Sequence, residues 1–231
     1  MLSPLAILRL LLAIAYPLLA HWASLDGSGL VAVLALADLA AIVLLLPLAE
    51  RRGWAWLLLA LIGVGLWALH GSQVPTLLLL APPVVFTALL SWWFGRSLRA
   101  GRVPLISRIV SGLESCEPDA LKPELKRYTR RLTGAWSGLL AALALANATL
   151  ALIAVPGGVL MRMGYPPLLA VSQETWSWFA NLLDYGIVGG FFVGEYVYRK
   201  YRFPDRPYRS FPDFLRRMAA LGPGFWRTLF D

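Results

Sequence analysis

Cysteine, histidine and acidic residues are scarce in this chain, and each scarcity removes a class of function. The single cysteine, Cys116, excludes an intramolecular disulfide and a metal site built from several thiolates. The two histidines, His21 and His70, lie in different connections, so histidines at metal-ligand spacing are lacking. No Walker-type glycine-rich loop and no G-x-S-x-G elbow occurs. The sequence therefore predicts no metal, no cofactor and no catalytic residue. His21 with Asp26 is a conceivable acid–base pair, but we expect both to be solvated at an interface.

Hydrophobic residues are abundant, at 58% of the chain, with a mean hydropathy of +0.65. They gather into six runs, at 4–23, 29–49, 54–70, 75–95, 132–155 and 175–198. A helix of about 20 residues crosses the roughly 30 Å hydrocarbon layer of a bilayer. These runs lack the alternation of barrel strands. The fold class predicted is an all-α, polytopic membrane bundle of six transmembrane helices, of which the third is the shortest.

Connections rich in lysine and arginine alternate along the chain with connections that have almost none. Arg51 and Arg52 separate the second and third runs, 96–131 holds nine basic and four acidic residues, and 199–231 holds eight and three. The positive-inside rule therefore places both termini in the cytoplasm. Because the cations lie at the ends of apolar runs, the net charge of +8 does not indicate a nucleic-acid partner. The segments predicted are spans one to four (1–95), a basic cytoplasmic connection (96–131), spans five and six (132–198) and a basic cytoplasmic tail (199–231).

Tryptophans near the ends of the runs agree with this topology. Aromatic belts mark the two membrane interfaces. The residues assigned to the outer belt are Trp22, Trp67, Trp176 and Trp178. Those assigned to the inner belt are Trp54, Trp56, Trp92, Trp93 and Trp136.

Two short amphipathic helices are predicted outside the spans. Pro104 suits the start of the first helix, whose apolar stripe is Leu105, Ile106, Ile109, Val110 and Leu113. A further helix is expected to run from Lys122 into the fifth span. In the tail, Ser210 and Asp213 resemble a capping box. The stripe that follows is Phe211, Phe214, Leu215 and Met218, and the helix is expected to end at Gly222-Pro223-Gly224. Small basic amphipathic helices of this kind are typical of the lipid headgroup plane, and we expect the tail stripe to lie either on the membrane or on the 103–113 helix.

Three short motifs follow one another in an order typical of one bacterial family. They are "PLISRI" after a basic turn, an Ala135-Trp136 span with the later Asn147, and Trp176-x-x-Phe179 at the entry to the last span. This pattern resembles the intracellular septation protein A family of inner-membrane proteins. It is still more similar to a sister group of membrane proteins that are often encoded beside aryl-polyene and fatty-acid-like synthesis genes. The resemblance covers roughly residues 85–203. It implies a multi-pass protein of the bacterial inner membrane and no specific chemistry.

Polar residues within the predicted spans are strong pointers to function, because charge in lipid is costly. Asp38 lies midway along the second span, Asp184 midway along the sixth, and Glu195 near the cytoplasmic end of the sixth. On an ideal helix Asn181, Asp184 and Glu195 share one face, which Asn147 of the fifth span can meet. The cluster is either a proton or cation path or cavity, or an interhelical hydrogen-bond cluster. We expect Asp184 to be protonated and hydrogen-bonded to Asn147, since no lysine or arginine partner is evident beyond Arg9 near the N-terminus.

Glycines and prolines suggest how the spans pack. Gly186, Gly190 and Gly194 recur every four residues, a spacing that lets two helix backbones approach closely. The partner is either another span of the same chain, which we favour, or a second subunit, so a homo-oligomer stays open. Pro82 and Pro83 are expected to kink or break the fourth span.

Eight arginines outside the spans form a predicted docking surface for anionic lipid head groups or a cytoplasmic acyl-carrier or synthesis enzyme. They are Arg96, Arg99, Arg102, Arg108, Arg130, Arg131, Arg216 and Arg217. The leading hypothesis is a non-enzymatic accessory of envelope or acyl-lipid synthesis that docks partners or lipids on this surface. The alternatives are a small proton- or cation-linked transporter or flippase, and an integral acyl- or glycosyl-transferase.

Overall fold

The computed structural model describes residues 4–26, 29–204 and 207–229. Helices dominate the described chain, as predicted for an all-α protein. In chain order they are α1 (Pro4–Asp26), α2 (Gly29–Ala49), α3 (Gly53–Leu69), α4 (Val74–Leu78), α5 (Ala81–Ser97), α6 (Leu105–Leu113), α7 (Pro123–Ile153), α8 (Val159–Arg162), α9 (Gln173–Trp178), α10 (Asp184–Arg202), α11 (Phe211–Ala220) and α12 (Gly222–Thr228). The minor elements are a 3₁₀ turn (Pro118–Ala120), a π turn (Phe179–Leu183) and a two-stranded parallel sheet of β1 (Ala154–Val155) and β2 (Val171–Ser172), in register Ala154 to Val171.

Four helical stretches within the described residues are long and apolar enough to span a membrane. They are α1, α2, the α4–α5 stretch Val74–Ser97, and α7. Helix α3 is apolar but has 17 residues. Large apolar side chains cover the outer surfaces of these helices, including Leu11, Leu57, Val64 and Phe86, which are more than half exposed. A surface of this kind is what a lipid-facing helix presents.

The predicted fourth and sixth spans are both interrupted. The fourth breaks at Leu79 and Leu80, and Pro82 and Pro83 lie in the first turn of α5, where proline is tolerated because the N–H groups there have no intrahelical partner. The predicted break is therefore confirmed, just before the two prolines. The sixth run is divided among α9, the π turn and α10, an interruption that the apolar pattern did not reveal.

The chain forms two compact units. Unit 1 consists of Met1–Val85 and Leu145–Gly186, and unit 2 consists of Phe86–Ala144 and Ile187–Asp231. In unit 1, α1 packs on α2 through small residues that permit close approach, among them Ala20, Ala23, Ala32 and Ala35. A second cluster of unit 1 surrounds Trp176, which is fully buried. Trp176 is therefore a core residue and not a belt residue, whereas Trp22, Trp67 and Trp178 are exposed as predicted.

Unit 2 buries the stripes of the two amphipathic helices. Ile106 and Val110 of α6 pack on Leu121, Leu125 and Leu132, at and after the turn that leads into α7. Leu113 of α6 packs with Tyr208 and Phe214, and Ile109, Phe211 and Met218 border this cluster. Of the two alternatives for the tail stripe, packing on the 103–113 helix is confirmed. The apolar faces of both helices are covered by protein side chains. Leu215 is the exception among the predicted stripe residues, since it is exposed.

Local signals account for the ends of α11. Asp213 N–H donates to Ser210 Oγ at 3.3 Å, and Arg209 N–H donates to Asp213 Oδ2 at 3.1 Å. The arrangement is close to the predicted capping box, with the return bond shifted by one residue. That backbone N–H, aided by Arg217, holds the pKa of the Asp213 carboxyl below its usual value. Gly222 has a φ of +78°, a conformation that favours glycine, and it separates α11 from α12.

Candidate functional site

A buried acid–amide pair lies inside unit 1. Asn147 of α7 is completely buried, and Asp184, the first residue of α10, is 6% exposed. Asn147 Nδ2 donates a hydrogen bond to Asp184 Oδ2, which confirms the predicted contact. The other oxygen of each side chain, Asn147 Oδ1 and Asp184 Oδ1, is buried with no hydrogen-bond partner among the described residues. Burial with one oxygen left without a partner disfavours the charged form of this carboxyl group.

The π turn sets the position of Asp184. The backbone N–H of Asp184 donates to Phe179 O, five residues earlier, so one extra residue is accommodated before α10 begins. Such π bulges often occur at functional sites, because they change which side chains face the interior. Asn181, within the turn, is also buried, but its Nδ2 donates to the carbonyl and the hydroxyl of Ser177, both at 3.1 Å. Asn181 and Asp184 therefore lie in one region with different partners.

His21 extends this polar region through Ser177. His21 Nδ1 lies 2.8 Å from Ser177 Oγ, and its ring meets the edge of Trp178 with 4.9 Å between ring centroids. The expectation that His21 is simply solvated is wrong, because α9 packs against α1 and half-buries the imidazole. Asp26 is exposed.

Asp38 occupies the interior of unit 1, as predicted, together with Tyr16 of α1. Both side chains are buried, and Asp38 Oδ2 and Tyr16 OH have no hydrogen-bond partner among the described residues. Tyr16 is close enough to Asp38 and to Tyr185 to interact electrostatically with both. Tyr185 in turn interacts with Asp184. Unit 1 thus contains two buried carboxyl groups and the buried Tyr16, whereas Tyr185 is exposed.

Glu195 does not belong to this group and lies in unit 2. Glu195 and Arg199 form a buried ion pair, with Arg199 Nε 3.1 Å from Glu195 Oε1 and Arg199 Nη2 donating to Oε2 at 3.2 Å. Tyr128 OH also donates to Glu195 Oε1 at 3.0 Å. The predicted stripe of Asn181, Asp184 and Glu195 is therefore wrong in its last member. Asp184 and Glu195 share a direction on the helix, but eleven residues at 1.5 Å each separate them by about 16 Å along its axis.

Aromatic rings complete the surroundings of Arg199. Its guanidinium carbon lies 4.9 Å from the ring centroid of Phe214 and 5.5 Å from that of Tyr208. Each such contact stabilises a desolvated cation by about 2 kcal/mol. Arg199 thereby links α10 to the tail helix α11. Sequence reasoning placed Arg199 in a solvated tail, although its spacing of four residues from Glu195 was a readable sign of an ion pair.

The predicted docking arginines all lie in unit 2 but differ in exposure. Arg96 and Arg108 are half-buried, with Arg96 5.2 Å from the ring of Trp92. The six exposed members are Arg99, Arg102, Arg130, Arg131, Arg216 and Arg217. Arg130 Nη2 donates to Leu98 O at 3.0 Å, and Arg217 Nε lies 3.3 Å from Asp213 Oδ2. The structure thus presents a basic face whose members are held on a folded unit.

Unit 2 also contains a cavity of about 550 Å³. Lys122, Arg199 and Arg202 line it together with apolar side chains that include Val110, Leu113 and Phe203. Two glutamates, Glu114 and Glu124, also line it. The combination of cations and apolar walls suits an amphiphile better than a uniformly polar ligand.

The glycine ridge of α10 has no close partner among the described residues. A side-chain carbon placed on Gly186, Gly190 or Gly194 would find no atom within 4 Å there. The choice between another span of the same chain and a second subunit stays a prediction. Among the described residues, there is likewise no group of three or more histidine, cysteine, aspartate or glutamate side chains that could hold a metal ion.

Comparison with known proteins adds no neighbour to this picture: no family model, no curated protein and no solved structure matches the chain significantly.

Proposed function

We propose that this protein is a non-enzymatic accessory of envelope or acyl-lipid synthesis in the bacterial inner membrane, and that its basic face binds anionic lipid head groups. The proposal adopts the six-span topology with the basic face in the cytoplasm. One observation carries it. Arg99 and Arg102 lie in the short turn between α5 and α6, and Arg131 lies on α7. Because α6 buries its apolar stripe in unit 2, these exposed arginines are held by packed helices.

Physical considerations favour lipid as the occupant. A juxtamembrane cation near an anionic lipid surface gains about 1 kcal/mol. The cavity in the same unit offers apolar walls that an acyl chain can contact. Likeness to membrane proteins encoded near aryl-polyene and fatty-acid-like synthesis genes agrees with an acyl-lipid setting.

The test is lipid selectivity of the purified full chain in a neutral detergent. Short-chain phosphatidylglycerol and phosphatidylcholine are titrated separately, and bound lipid is counted by native mass spectrometry. Replacing Arg99, Arg102 and Arg131 by glutamine should lower the affinity for phosphatidylglycerol about 100-fold, if each cation contributes about 1 kcal/mol. Affinity for phosphatidylcholine should not change.

The matched control removes three cations that already have acidic partners. Arg52, Lys126 and Arg217 form ion pairs with Glu50, Asp119 and Asp213. Glutamine at these three positions gives the same change in formal charge but should have a smaller effect on lipid affinity. Equal binding of both lipids by the unaltered protein, or equal losses in the two triple variants, would contradict the proposal.

A second candidate function, proton- or cation-linked transport, is favoured by the interior of unit 1. Asp38 is buried in the membrane-length helix α2, Asp184 is buried at the start of α10, and each has an oxygen without a partner among the described residues. Interrupted helices, such as the α4–α5 and α9–α10 stretches, frame ion sites in transporters. Transport requires one of these carboxyl groups to exchange its ligand, whereas lipid docking does not.

A further inference from the structure

The hydrogen-bonded pair of Asn147 and Asp184 has two buried oxygens without a partner among the described residues, one on each side chain. Asn147 and Asp184 already share one hydrogen bond, from the amide Nδ2 to the carboxyl Oδ2. The remaining oxygens, Asn147 Oδ1 and Asp184 Oδ1, are both acceptors when Asp184 is ionised, and both are buried. Each of these two buried acceptors lacks a donor, so the free-energy cost of removing it from water is not compensated by a hydrogen bond.

Binding of one proton gives both oxygens a hydrogen-bond partner. A proton on Asp184 Oδ1 converts that oxygen into a donor, and the nearest unsatisfied acceptor on the paired side chain is Asn147 Oδ1. The carboxyl and the amide then form a cyclic pair with two antiparallel hydrogen bonds, and each of the four polar atoms has a partner. The bound proton comes from water, and the pair changes from a net charge of −1 to 0.

We propose that Asp184 and Asn147 form an intramembrane proton-binding site, in which one proton bridges Asp184 Oδ1 and Asn147 Oδ1 and joins α7 to α10. The site stands independently of lipid docking by unit 2. It supplies the exchangeable ligand that the second candidate function requires.

The surroundings of the pair favour a proton over a charged counter-ion. The titratable groups of this region are Tyr16 and His21 from α1, Asp38 from α2, and Tyr185, which follows Asp184 in the chain and is 55% exposed. Helix α7 contributes no charged or titratable side chain between Leu132 and Ile153. None of these groups carries a fixed positive charge, and Arg9, on α1, is exposed.

Binding or release of this proton affects the π turn. Asp184 closes the turn through its backbone N–H to Phe179 O, so the residue that binds the proton is also the residue at which the helix changes register. Release of the proton leaves a carboxylate with only the Asn147 amide as a donor. Loss of the bridging bond therefore weakens the connection between α7 and the start of α10, where the π turn can revert to an α turn.

Infrared difference spectroscopy on the full chain in lipid nanodiscs tests the proposal, because a protonated carboxyl group has a C=O stretching band that a carboxylate lacks. At neutral pH the unaltered protein should show this band, and Asp184→Asn should remove it. Asp38→Asn is the matched control and should retain it. Asn147→Leu should keep the band but shift it to higher frequency, since the hydrogen-bond acceptor is lost.

Each result decides the matter. A folded Asp184→Asn protein with an unchanged set of carboxyl bands would mean that Asp184 is ionised and would overturn the proposal. A band that disappears when sodium replaces choline in the buffer would assign the site to a metal cation instead. A band unmoved by Asn147→Leu would show that no proton bridges the pair. Should Asn147→Leu fail to fold, Asp184→Asn and the sodium exchange still test the bound proton.

Discussion

Arg199 shows how much a single buried charge determines in this protein. Its guanidinium is held by Glu195, Tyr208 and Phe214, so one side chain joins the last long helix to the tail. The loss of stability depends on whether one partner of such an ion pair is removed or both. Removal of one partner leaves an uncompensated buried charge, whereas removal of both partners leaves only a packing change.

Glu195→Gln should therefore destabilise the protein by about 3–5 kcal/mol. The double variant Glu195→Leu, Arg199→Met should recover most of that loss, because no charge stays buried. The measurement is thermal unfolding of each purified variant in mild detergent. Arg202→Gln is the control, since Arg202 and Glu124 form an exposed pair at 3.5 Å that should contribute less than about 1 kcal/mol. A Glu195→Gln protein that melts with the unaltered chain would show that the pair is not desolvated.

The partner of a side chain was predictable where an apolar helix offers few polar alternatives. It was not predictable where tertiary packing selects one partner from several. The contact between Asn147 and Asp184 was predictable, because two polar side chains in apolar helices have few alternatives. The pairing of Glu195 was not, because helix angle alone ignores the distance along the axis. Likewise the burial of Trp176 depends on α7 and α9 coming together, which no local pattern specifies.

Helix α11 illustrates what an amphipathic pattern can and cannot tell. The stripe at i, i+3, i+4 and i+7 predicted the helix and its cap, but not whether lipid or protein would cover it. Phe214 is buried at the centre of the aromatic cluster, while Leu215, on the same stripe, is 43% exposed. The two adjacent positions therefore have different environments.

Phe214→Asp should release the tail, because a carboxylate placed in that cluster costs a few kcal/mol. The matched change Leu215→Asp should be within about 0.5 kcal/mol of neutral, since the position faces outward. Limited trypsin digestion of the full chain, followed by mass mapping of cuts at Arg209, Arg216 and Arg217, measures the difference. Equal cleavage of the two variants would contradict the packing of α11 on α6.

At the scale of the whole molecule, composition predicted a helical membrane protein, and four membrane-length helices agree with it. The predicted docking surface grouped 96–131 with 199–231, and both segments belong to one unit. The division into two units was not predicted, because its boundaries, after Val85, Ala144 and Gly186, fall inside predicted spans. The six-span topology, with its spans read from apolar runs and its sidedness from charge, stays a prediction. It needs a measurement that reads sidedness directly.

Single cysteines in a Cys116→Ser background provide that measurement. With an impermeant thiol reagent applied to intact spheroplasts, Gly71→Cys and Leu168→Cys should react from outside. Arg102→Cys and Leu215→Cys should react only after the membrane is opened. All four positions are exposed, so lack of labelling reports sidedness and not burial. Labelling of Arg102→Cys from outside would overturn the topology.

The pairing of α6 with α11 also has a consequence for biosynthesis. The two helices pack together, although about 100 residues of chain separate Leu113 from Phe211. At 5–20 residues per second, translation supplies α11 on the order of 5–20 s after α6. During that interval the apolar stripe of α6 lacks its cover from the tail, so unit 2 reaches its final form only when nearly the whole chain has been synthesised. A prematurely terminated chain would insert its helices but leave this apolar surface exposed. Quality-control proteases that recognise exposed apolar segments would therefore detect an unfinished copy.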